Sequence, residues 1–66
     1  MERVLIFQTE EAKVKFAEAL KKATFGRVLV EEDHGWPKPA LRVWGATPSQ
    51  ILAASTWAGF GPVWEG

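Results

Sequence analysis

Two helix-start signals each follow a short β-branched or aromatic run, and this punctuation constrains the chain more than any other feature. The first is Thr9-Glu10-Glu11, after Arg3-Val4-Leu5-Ile6-Phe7-Gln8, and the second is Thr47-Pro48-Ser49-Gln50, after Ala40-Leu41-Arg42-Val43-Trp44-Gly45. A threonine oxygen satisfies free N–H groups of a first helical turn, and Glu10 and Glu11 place negative charge at the positive end of the helix dipole. In the second signal, Pro48 suits the first helical position and Gln50 completes a capping box with Thr47. These features predict strands over 3–8 and 40–45, each running into a helix.

The segments between follow from spacing. Ala12, Phe16, Ala19, Leu20 and Ala23 recur on one helical face, and Lys13, Lys15, Glu18, Lys21 and Lys22 cover the other. Gly26 reads as the stop signal. Residues 27–32 form a second strand, with Val28 and Val30 facing one way and Leu29 and Glu31 the other. Glycine and two prolines make 33–39 a loop. The second helix runs through Ala58 and stops at Gly59 or Gly61, and 62–65 form a short edge strand where a proline is tolerated.

The resulting order, β-α-β-β-α-β, resembles the split arrangement of ferredoxin-like domains. The expectation is a single α+β domain over 1–66, with a four-stranded antiparallel sheet and both helices on one face. A chain of 66 residues buries only about 60% of its unfolded surface. It has no cysteine, and its one histidine, His34, cannot make a zinc site without oxygen ligands. Self-association or a very dense core must then supply the missing stability.

Charge and hydropathy narrow the partners. Eight basic residues balance eight acidic ones, whereas duplex-binding proteins draw most of their affinity from a basic excess. The N-terminal residues lack the basic-then-apolar pattern of a signal peptide, and the run 4–7 is too short to span a bilayer. The expectation is a cytoplasmic location without a membrane partner. The absence of Asn and Cys, with a single Met and many charged residues, matches the depletion of thermolabile side chains in thermophile proteins.

If Val4, Ile6, Val28, Val30, Leu41 and Val43 face the helices, the free sheet face carries Arg3, Leu5, Phe7, Arg27, Leu29, Glu31, Arg42 and Trp44. Leu5, Phe7, Leu29, Arg42 and Trp44 then make an apolar patch edged by arginine, the composition of an interface centre. Three occupants fit it: a second copy or another protein, single-stranded nucleic acid stacked on Phe7 and Trp44, or the chain's own Trp36 loop or C-terminal segment. Zero net charge weighs against nucleic acid. All four tryptophans fall in the second half of the chain, and Trp36, between Gly35 and Pro37, has the least obvious packing role.

Chemistry-bearing groups are sparse. His34 follows Glu31-Glu32-Asp33, but consecutive loop residues rarely converge, and a solvated turn is the plainer reading. Trp36 and His34 remain as loop contact candidates. Ser49, Ser55 and Thr56 lie within a helix, without a nucleophile elbow around them. Gly59-Phe60-Gly61 follows a helix instead of opening one and lacks the lysine of a phosphate loop. The sequence therefore predicts a non-enzymatic interaction or regulatory module, without cofactor or metal, that forms a homo-oligomer (a dimer favoured) through its sheet. A single-stranded nucleic-acid binder is the second reading, and a dimer with a small-molecule or catalytic site between subunits is the third.

Overall fold

A computed structural model describes residues 2–59 and 61–65. Its elements run β1 (Glu2–Ile6), α1 (Glu10–Ala23), β2 (Leu29–Glu32), β3 (Ala40–Trp44), α2 (Pro48–Ala58) and β4 (Trp64–Glu65). The chain is thus an α+β domain with two helices and an antiparallel sheet in the order β2-β3-β1-β4. The sheet proper has three strands. The fourth strand, expected over 62–65, is reduced to a two-residue pairing of Trp64 with Ile6 and Glu65 with Leu5. Pro62 explains the delay, since it has no N–H for the ladder.

Both helices begin where their caps dictate. The Thr9 hydroxyl accepts from Ala12 N–H at 3.1 Å, and Thr47 and Gln50 exchange the two bonds of a capping box at 3.2 and 2.9 Å. Gly59, at φ 85°, ends α2 in the left-handed conformation that glycine adopts without a Cβ clash. The end of α1 departs from expectation. Gly26 N–H bonds Lys21 O at 2.8 Å and Phe25 N–H bonds Lys22 O at 3.3 Å, the two bonds of a Schellman motif. Phe25, not Gly26, occupies the position where glycine is usual, and it does so at φ 56°.

The core lies between the sheet and the helices. Leu5, Phe7, Leu41 and Val43 meet Phe16, Ala19 and Leu20 of α1 and Ile51 and Ala54 of α2. The Phe7 and Phe16 rings stand 5.0 Å apart at 50°. This reverses the expected facing of β1: Leu5 and Phe7 are fully buried under the helices and take no part in an open sheet face. The register explains the reversal. Leu5 opposes Leu41 and Arg3 opposes Val43, and opposed residues share a face. Val4 and Ile6 therefore point away from the helices. Both faces of β1 are apolar, so alternation alone does not choose between them; the pairing with β3 and the space under α1 do.

Lys13 also departs from expectation. It is buried, not part of the solvated side of α1. The helix-facing residues of β2 are Val30 and Glu32, opposite Val43 and Leu41. A carboxylate at the sheet edge meets the ammonium of Lys13, which pairs with both Glu32 and Glu10, the latter at 2.6 Å. Burial opposes the charge on Lys13, but its hydrogen bonds and Coulomb attraction to Glu10 and Glu32 outweigh this and raise its pKa.

Candidate interaction surface

The outer face of the sheet is built from alternate residues of the strands and from the loop that joins β2 to β3. Arg42 and Trp44 of β3 sit here, on the opposite side from Leu41 and Val43. Leu29 and Glu31 of β2 oppose them, Leu29 against Trp44 and Glu31 against Arg42. Trp64 of β4 joins at the far edge, opposite Ile6. The expected placement of Leu29, Arg42 and Trp44 on one surface is what the register gives; Leu5 and Phe7 lie on the other side of the sheet.

Loop 33–39 turns back over this face, and Asp33 organises it. Its carboxylate accepts from Gly35 N–H at 3.0 Å, from Trp36 Nε1 at 2.9 Å and from Arg42 Nη2 at 2.8 Å. Arg42 in turn reaches Glu2 through Nη1 at 2.9 Å. The Gly35 amide, then the Trp36 indole and the Arg42 guanidinium, hold the Asp33 pKa below the ordinary aspartate value. The hydrogen bonds that Arg42 donates to Glu2 and Asp33 raise its own pKa.

The hub delivers Trp36 to Trp64. Their ring centroids lie 5.4 Å apart with planes at 42°, a tilted aromatic pair. Ile6 is buried although it points away from the helices, consistent with cover from this side. The cover is incomplete. Trp36 remains 37% exposed and Trp64 47%, and Leu29 on the opposite edge is exposed at 56%. His34, the other loop candidate, is exposed and takes no part in the Asp33 hub.

A second apolar surface lies on the helix layer, and sequence reasoning missed it. Phe25 (88% exposed), Leu52 (69%) and Trp57 (67%) line a groove of about 670 Å³ between the end of α1 and the outer side of α2. A signal was present: residues 48–58 carry no charge, so α2 is apolar or small all round instead of on one stripe. The helix buries Ile51 and Ala54 and leaves Leu52 and Trp57 to solvent.

Two of the three hydroxyl candidates are internally engaged. Ser55 and Thr56 donate back to Ile51 O at 3.0 Å and Leu52 O at 3.1 Å. Such bonds tie up a hydroxyl without activating it. Among the described residues no three His, Cys, Asp or Glu side chains are grouped to hold a metal ion, and no helix is long and apolar enough to cross a membrane. No protein-family model, curated protein or solved structure matches the chain.

Proposed function

We propose that the chain is a non-enzymatic interaction module that docks an apolar segment of a protein partner on its outer sheet face. The observation carrying this reading is the Trp36–Trp64 pair, whose Trp36 is held by the Asp33 hub and whose two residues are each more than one-third exposed. An exposed aromatic pair held in place on a sheet loses little conformational entropy when it binds, which is the advantage of a preorganised contact. Tryptophan is also the residue type that most often carries interface energy. The strand order β2-β3-β1-β4 supports a ferredoxin-like assignment for the scaffold beneath it.

The nucleic-acid reading draws less support from this face. Arg42 is already engaged by Glu2 and Asp33, and Glu31 adds another carboxylate opposite it. Phosphates would meet a neutral to acidic surface. A random-peptide library selected on the immobilised protein tests the reading. Enriched peptides should be apolar or aromatic, and should lose binding to Trp36→Ala and Trp64→Ala while keeping it to Trp57→Ala. Peptides sensitive only to Trp57, or micromolar binding of a short single-stranded oligonucleotide at physiological salt, would overturn it.

A further inference from the structure

The exposed side of α1 carries a charge pattern whose spacing is the same from either end and whose signs are reversed. Glu11, Lys15, Glu18 and Lys22 are spaced four, three and four apart. At about 100° per residue they fall in one stripe about 60° wide, running about 16 Å along the helix. A dyad through the middle of this stripe sets residue 11 opposite 22 and residue 15 opposite 18. Every opposed pair is then a glutamate with a lysine. A parallel alignment would instead set glutamate on glutamate and lysine on lysine.

The stripe borders the apolar surface of α2. Lys15, Glu18 and Lys22 line a shallow depression of about 430 Å³ together with Trp57 and Ala58. Trp57 thus stands beside the Lys15–Lys22 part of the stripe, with two-thirds of its surface exposed. Among the described residues, Glu11 and Lys15 pair with each other at 3.9 Å, which is a loose contact. Glu18 and Lys22 have none among the described residues.

We propose that two copies of the chain pair through their helix layers about a two-fold axis, with α1 antiparallel to α1 and Trp57 of each copy inside the contact. Exposed ion pairs add little affinity, but they fix orientation and penalise the wrong one. Burial of the two indoles supplies the attraction, since tryptophan is a residue type that commonly anchors interfaces. A two-fold contact needs a self-complementary surface, and the stripe is one by charge. This pairing uses the opposite layer from the sheet face and does not depend on the docking reading above. It would leave both outer sheet faces free, which makes the dimer a bivalent binder.

Sedimentation of the full chain over a range of concentrations tests the pairing. Wild type should dimerise. Glu18→Lys and Lys15→Glu should each weaken the dimer on the order of ten-fold, because each sets like charges together. The double swap Lys15→Glu with Glu18→Lys recreates the opposed pairs and should recover most of that loss. Trp57→Ser should leave a folded monomer by circular dichroism. If Trp57→Ser does not fold, the charge swaps carry the test alone, since all are surface positions. A monomer at every concentration overturns the proposal, as does a double swap no tighter than the single variants. A dimer lost with Trp36→Ala and retained with Trp57→Ser overturns it as well, and assigns the contact to the sheet.

Discussion

Trp36 Nε1 donates a 2.9 Å hydrogen bond to Oδ2 of Asp33, the oxygen that also accepts from Arg42. One carboxylate therefore joins the loop to the sheet and sets the exposed aromatic surface. Asp33 titrates below its ordinary value of 3.8, first because of the Gly35 amide and then the Trp36 indole. A depressed folded-state pKa contributes stability that is fully present above the unfolded value and is lost as pH falls through the folded one. The loop should thus stay closed at pH 5 and open in a transition centred below 3.8. Asp33→Asn should open it at neutral pH. Tryptophan fluorescence checks both: a red shift confined to acid in wild type, and present at neutral pH in the variant. No acid shift above global unfolding would remove the hub from the argument.

The facing of β1 separates two adjacent apolar positions, Val4 and Leu5. Leu5→Ala opens a cavity among Phe7, Phe16 and Leu41 and should cost about 2–5 kcal/mol, enough to unfold much of so small a domain. Val4→Thr, on the outer side of the same strand, should cost about 1 kcal/mol or less. Urea denaturation monitored by circular dichroism would rank them. Equal losses would mean that β1 has slipped by one residue.

Lys13 joins α1 to β2 without much net stabilisation. Its partners Glu10 and Glu32 are more than half exposed, so both can rehydrate when the ammonium is removed. Lys13→Met keeps the apolar stem and should change stability by no more than about 1 kcal/mol. The clearer readout is Glu32, whose pKa the hydrogen bond from Lys13 holds below its ordinary 4.5. Carboxyl titration by NMR should show Glu32 moving up toward that value in the variant. An unmoved Glu32 would disprove the pairing.

Phe25 holds a left-handed conformation that a Cβ-bearing residue adopts at a cost of about 1–2 kcal/mol, and its ring is almost wholly in solvent. Phe25→Gly should raise the stability of the fold by about 1 kcal/mol, less the small contact area lost in the groove. A thermal melt showing a lower midpoint would mean that the ring packs more firmly than its exposure indicates. A higher midpoint marks Phe25 as a residue that the monomer's stability does not favour.

Sequence by itself determined both helix starts, which rest on local chemistry. Thr9, Thr47, Pro48 and Gln50 act within one helical turn, so both helix starts were legible, and Gly59 was one of the two stops the sequence allowed for α2. In β3, Arg42 between Leu41 and Val43 made the facing readable, because only one side of that strand is apolar through its middle. Three matters waited for the tertiary structure. Val4 and Ile6 match Leu5 and Phe7 in polarity, so the facing of β1 depended on its register with β3 and on where Phe16 left room. Lys13 reads as a surface cation until Glu32 of β2 arrives beneath it, nineteen residues away. Trp36 has no local reason to meet Trp64; the Asp33 hub and a strand order that sets β4 beside β1 bring them together. Local hydrogen bonds are encoded within a few residues of where they act, whereas the choice between two equally apolar faces is a property of the assembled layers.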